Sequence, residues 1–256
     1  MIRSLLIRGM IAGLVAGLLG FAFAKIVGES SVERAIAFEE RHEHAHTHMH
    51  HEGAAQSHEH EGDEEIVSRD TQAGLGLLTG VAVFGTALGG IFSLVFAFAY
   101  GRLGALRARG ASALLAMLGF VSVAIVPFLK YPPNPPAVGN PETIGPRTAL
   151  FFGMMATSIA AAVFAVWLQR RMHARQGNWR ATVIAGIAYI ALMLLAQFVL
   201  PRVDEVPADF SASLLWNFRV AAIGIQAIIW TTLGLLFGAL AARELERPAL
   251  RTMAAI

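Results

Sequence analysis

Residues 5–27 read LLIRGMIAGLVAGLLGFAFAKIV, a run interrupted by only two charges, Arg8 and Lys25. About 20 predominantly apolar residues are enough to cross the hydrocarbon core of a bilayer as a helix. Gly9, Gly13 and Gly17 recur every fourth position, so they share one helix face on which a second helix can approach closely. Arg3 and Arg8, followed by an apolar run ending Ala22-Phe23-Ala24, also have the outline of a secretory signal with its cleavage site. The length of the run and its glycine repeat favour a retained helix; cleavage would leave one crossing fewer.

The pattern repeats along the chain. Of its 256 residues 55% are hydrophobic and 15% charged, and the mean hydropathy is +0.57, the composition of a membrane protein. Apolar segments at about 5–27, 74–100, 111–129, 148–168, 181–200 and 214–242 predict an all-α polytopic bundle of six transmembrane helices, or five if the first is cleaved. Ten-residue strict alternation is absent, which argues against a lipid-facing barrel. The chain has no cysteine, so disulfides, thiolate metal sites and thiol catalysis are excluded.

Lysine and arginine accumulate in cytoplasmic loops. Twelve of the 20 basic residues fall in one alternating set of breaks: Arg3, Arg8, Arg102, Arg107, Arg109, Arg170, Arg171, Arg175, Arg180, Arg243, Arg247 and Arg251. The other set holds 16 of the 18 acids. Both termini are therefore expected in the cytoplasm. Residues 28–73 then form an outer loop, as do a Pro-rich break at 130–147 and an acidic break at 201–213.

That first outer loop contains HEHAHTHMHHEGAAQSHEHEGDEE at 42–65, with eight of the nine histidines. His42, His44, His46, His48 and His50 alternate, His51 follows, and His58 and His60 come later. An extended chain puts alternate imidazoles on one side, while a helix aligns His42, His46 and His50. Neutral imidazole suits cobalt, nickel, zinc and copper rather than calcium or magnesium. The composition predicts that 42–65 is largely disordered, which is compatible with weak multisite metal capture.

The blocks flanking this tract are RAIAFEE at 34–40, EEIVSRDTQAGLGLLTG at 64–80, PFLKYPPNPPAVGNPETIGPRTAL at 127–150 and VDEVPADFSASLLWNFRVAAIGIQ at 203–226. In their order and content they resemble the CbtA-type predicted cobalt transporter subunits. The resemblance implies cobalt uptake across a bacterial inner membrane, linked to cobalamin supply. It also implies a small CbtB-type partner with one membrane helix and a histidine-rich motif of its own.

Candidate entrance and pathway residues lie in the other two outer breaks and just below them. Asn134 and Glu142 belong to the Pro-rich block, whose carbonyls are free of helical bonding. Asp204, Glu205 and Asp209 would gather divalent cations ahead of Asn217. Gln226 sits deeper in the last span, and Arg219 stands about one turn inside it. A buried charge requires a partner or an interface, and Asp204, Glu205 and Glu142 are the available acids.

No Asp, Glu or His occupies the middle of a span, so a simple proton-antiport cycle is hard to build from this chain. There is no GxxxxGK[ST], and the HExxH spacing at HEHAH, 42–46, belongs to a low-complexity histidine repeat, so neither an enzymatic activity nor a nucleotide or nucleic-acid partner is expected. The expected function is divalent metal uptake, with Co2+ as cargo, Ni2+ or Zn2+ fitting the same ligands, and no tightly bound cofactor. The rival is a metal-binding receptor or scaffold subunit that does not itself conduct.

Overall fold

The computed structural model describes residues 2–49 and 71–246. Helix α1 (Ile2–Phe23) passes through a π-helical turn, Ala24–Gly28, into α2 (Glu29–Met49). After another such turn, Gln72–Gly76, come α3 (Leu77–Ala99) and α4 (Ala108–Gly119). A third turn, Phe120–Ile125, leads into α5 (Val126–Lys130). Then follow α6 (Ile144–Val199), α7 (Ala212–Thr232), a turn at Leu233–Phe237, and α8 (Gly238–Leu245). Among the described residues there is no strand.

Among the described residues, five helical stretches are long and apolar enough to cross a membrane: Ile2–Arg41, Gly74–Ala99, Ala108–Lys130, Pro141–Val199 and Ala212–Leu245. The sequence-predicted segments 148–168 and 181–200 both lie within α6, which is two helices meeting at Gly177. That element is folded double. Gly177 is non-helical, with φ 77° and ψ 164°, and the Ser158 hydroxyl lies 2.8 Å from the Tyr189 hydroxyl. Along a straight helix those residues would be about 46 Å apart. A single glycine in the left-handed region reverses the chain within the polar, arginine-rich break QRRMHARQGNWR at 169–180.

The first part of the predicted outer loop, 28–73, is helical. From Glu29 it forms α2, helical as far as Met49. Residues 29–49 contain neither Gly nor Pro and are rich in Ala, Glu and Arg, all good helix formers. Ser31, Ala35 and Phe38 fall on one face, and Ser31 and Ala35 are buried. Of the tract at 42–65, residues 42–49 belong to the backbone of α2, and residues 50–65 lie outside the described part.

Helices α1 and α3 cross backbone to backbone. A Cβ at Gly85 would stand 2.5 Å from the Gly13 carbonyl oxygen, and one at Gly17 2.6 Å from that of Val81. Helix α1 also lies along α7, where Gly20 faces Ile225 and Ile229. Beside them, Ser112 on α4 donates to the Gly234 carbonyl at 2.8 Å. Phe237 joins the layers, edge-on to Phe92 at 5.5 Å and Phe96 at 5.0 Å. The turn at Phe120–Ile125 has a local cause: Pro127 lacks an N–H and its ring crowds the carbonyl four residues back, which a widened turn relieves.

These pairings sort the ends of the bundle. Arg8 bonds the Leu240 carbonyl at 2.9 Å and pairs with Glu244, while the Ala108 amide donates to Glu246 at 3.0 Å. The end of α5 meets the open end of the α6 hairpin, with Lys130 donating to the Gln197 carbonyl at 2.6 Å. Gly177 and its flanking arginines consequently lie at the same end as Arg8, Arg102, Arg107, Arg109 and Arg243. The opposite end carries the acidic and Pro-rich breaks.

Candidate functional site

At that opposite end the two breaks and α2 build a cap. Its apolar centre is Ala35, Val138, Phe210, Leu214 and Leu215, with Phe38 packed against it. The Phe38 and Phe210 rings meet edge to face at 5.0 Å between centroids. This contact seats the root of α2 on the acidic break, next to Asp209. One helical turn beyond Phe38 is His42, the first residue of the histidine tract.

The polar half of the cap is a latch around Glu205. Its carboxylate accepts the Asn140 amide at 2.9 Å and lies 3.3 Å from Arg147 Nε. Arg147 Nε makes no aligned hydrogen bond there, so its contribution is mainly Coulombic. The Thr143 hydroxyl lies 2.8 Å from the Asn140 carbonyl and also within reach of Glu205, and its single proton serves one or the other. Hydrogen bonding from Thr143 first, then the Asn140 amide, with the Arg147 charge, holds the Glu205 carboxyl below its ordinary range.

The backbone is bent to fit. Ala137 takes φ 67° and Gly139 φ 125°, and a side chain at Gly139 would run into the Arg147 guanidinium. Asn140 caps the short turn at Pro141–Thr143 by accepting from the Glu142 amide at 3.0 Å.

Arg219 donates to Asn134 Oδ1 at 2.9 Å, tying α7 to the Pro-rich block, and Asp204 is its electrostatic counterweight. Its Nε is buried without a partner among the described residues. Tyr131 closes the far side of the cap by donating to the Pro201 carbonyl at 2.9 Å.

The candidate residues therefore divide. Asn134 and Glu205 are engaged in holding loops together. Gln226 accepts from Trp230 of its own helix at 3.2 Å. Glu142, Asp204, Asp209 and Asn217 are exposed around the cap. His42, His44, His46 and His48 lie on the backbone of α2, and His50, His51, His58 and His60 lie outside the described residues. No three His, Asp or Glu side chains converge on a common point among the described residues.

Sequence reasoning overlooked Arg147, Lys130, Tyr131 and Thr143. Arg147 and Lys130 carried a usable signal, being charges at the mouths of apolar segments, where partners are needed.

The chain's helices and blocks have a match among known families: residues 2–242 fit the family described as probable cobalt transporter subunit, CbtA. The chain belongs to the CbtA family. Comparisons with curated proteins and with solved structures find no match. Membership over nearly the whole chain, with five long apolar helices, makes this a multi-pass membrane protein of a metal-transport family. A CbtA chain is by description a subunit, so it works within a complex.

Proposed function

We propose that this CbtA chain is the membrane pathway for inward movement of cobalt(II), with its cap and histidine tract outside a bacterial inner membrane and both termini in the cytoplasm. Both arms of the α6 hairpin then cross, giving six crossings. The gathering of arginines at the Gly177 end supports this orientation. Each arm, at residues 144–176 and 178–199, exceeds the roughly 30 Å of hydrocarbon at 1.5 Å per residue.

The observation that carries the reading is the Phe38–Phe210 contact. It roots the helix leading into the tract on the acidic break. In the backbone of α2, His42 and His46, like His44 and His48, are four residues apart and so share a helix face. Ions held weakly by imidazoles there are delivered beside Asp209, Asp204 and Glu142. An inside-negative potential drives entry, at about 2.3 kcal/mol per elementary charge per 100 mV.

One observation favours a second reading, a metal receptor that hands its ion to another subunit. Glu205 and Asn134 are tied into the latch, and the α1–α3 crossing is closed by glycine backbones.

The test is cobalt uptake in cells lacking their own cobalt and nickel importers. They express the chain alone, with a small single-helix CbtB-type subunit, or without residues 42–65. Saturable uptake by the chain alone supports the pathway; uptake only with the partner makes the pathway shared; its absence in every arm transfers support to the receptor. Because the chain has no cysteine, single cysteines at Arg175 and Asp209 report sidedness in the same cells. Labelling of Arg175→Cys from outside overturns the orientation.

A further inference from the structure

At the arginine-rich end, Arg3, Ser4, Ile7, Arg8 and Ile11 of α1 and Leu240 of α8 line a groove of about 630 Å3. Arg3, Ile7 and Ile11 follow one another at four-residue spacing, each about 6 Å further along the helix. The groove is therefore polar at its mouth and apolar toward the bundle centre. Ile7 and Ile11 are 48% and 49% exposed, so the apolar half opens sideways rather than into the core.

The mouth is partly fixed. Arg8 is held by the Leu240 carbonyl, by Glu244 and, through Nε, by Ser4 Oγ at 3.2 Å. Arg3 stands exposed beside it. With Glu244 counted against the two arginines, the mouth carries one net positive charge.

The geometry points to a site for one anionic phospholipid, its phosphodiester at Arg3, Ser4 and Arg8 and an acyl chain along Ile7, Ile11 and Leu240. A phosphodiester carries the single negative charge that balances the mouth. A free anion would leave the apolar half without use, and an uncharged lipid would leave Arg3 without use. Basic pockets between helices at the cytoplasmic face are where anionic headgroups are held. The site goes beyond the transport reading and is tested without transport.

The experiment is native mass spectrometry of the full chain released from micelles. The probes are phosphatidylglycerol, phosphatidylcholine of identical chains, or inorganic phosphate. One phosphatidylglycerol is retained in preference to phosphatidylcholine, and phosphate does not displace it. Arg3→Gln weakens that retention about fivefold, the effect of one basic residue at an anionic surface. Ile11→Trp, which fills the apolar half and keeps both charges, weakens it too. Arg175→Gln, a basic residue of the hairpin at the same end, leaves it unchanged. Equal retention of the two lipids, displacement by phosphate, an unaffected Ile11→Trp, or equal loss in Arg175→Gln and Arg3→Gln would each overturn the assignment.

Discussion

Replacing Gly85 by alanine tests whether the α1–α3 crossing is the keystone of the bundle. The added methyl carbon would lie 2.5 Å from the Gly13 carbonyl oxygen and 3.0 Å from the Gly17 Cα, where ordinary contact begins at 3.4 Å. Neither neighbour is a side chain that can swing away, so α1 must retreat by about 0.9 Å, the difference between 3.4 and 2.5 Å. Forcing one extra carbon into a packed interface costs about 1–3 kcal/mol. Alanine in a helix returns roughly 0.5–1 kcal/mol relative to glycine. Gly80, on the same helix, has nothing within 4 Å of where its Cβ would be, so Gly80→Ala receives the return without the cost. The two variants should thus differ by about 1–3 kcal/mol, with Gly85→Ala the less stable. Unfolding in mixed micelles by a denaturing detergent, followed by circular dichroism, measures the difference. Equal stability of the two variants would refute the reasoning, since only the clash distinguishes them.

The cap yields two further expectations. The Glu205 carboxyl is held below its ordinary value, so the stability it contributes is fully present above the usual glutamate range and is lost only as pH falls through the lowered value. Amide exchange of residues 139–147 should stay slow through mildly acidic pH and speed up only below about pH 4.3; Glu205→Gln should flatten that transition. Opening at or above that pH would mean that the latch does not depend on the charged carboxylate. Arg219→Gln removes the charged donor that holds Asn134 at 2.9 Å, and trypsin should then cut after Lys130 several times faster. An unchanged cutting rate would show that the prolines alone hold the loop.

The apolar segments were readable from sequence because a bilayer imposes a length on every crossing. The glycine ladder at Gly9, Gly13 and Gly17 was readable because close helix approach demands small residues at fixed spacing. The reversal at Gly177 was not foreseen as a one-residue turn. The polar run at 169–180 announces a break, but not that helix continues on both sides of it as far as Gly177. The cap was the least legible part. Its pairs, Asn134 with Arg219 and Asn140 with Glu205, join residues 85 and 65 positions apart. Residue type named most of the members, while partner choice followed from how α5, α6 and α7 end.

The charge balance of the cap bears on what the histidine tract does. In the two breaks and at the mouth of α7, Lys130, Arg147, Arg202 and Arg219 meet Glu142, Asp204, Glu205 and Asp209, four bases against four acids, while α2 ahead of the tract adds Glu29, Glu33, Glu39 and Glu40 against Arg34 and Arg41. Glu205 is paired with Arg147, and Asp204 offsets Arg219. The breaks themselves have little net field with which to draw in a divalent cation, and the excess of acid lies on the side of α2 that leads into the tract. Residues 42–65, by contrast, hold seven carboxylates and neither lysine nor arginine: Glu43, Glu52, Glu59, Glu61, Asp63, Glu64 and Glu65. Attraction of the ion then belongs to the tract and passage to the bundle. Removing 42–65 should therefore raise the cobalt concentration needed for half-maximal uptake, steeply at low ionic strength and less at high salt, while the maximal rate is kept. A fall in maximal rate at unchanged half-saturation would place the histidines in the passage itself and reverse this division of labour.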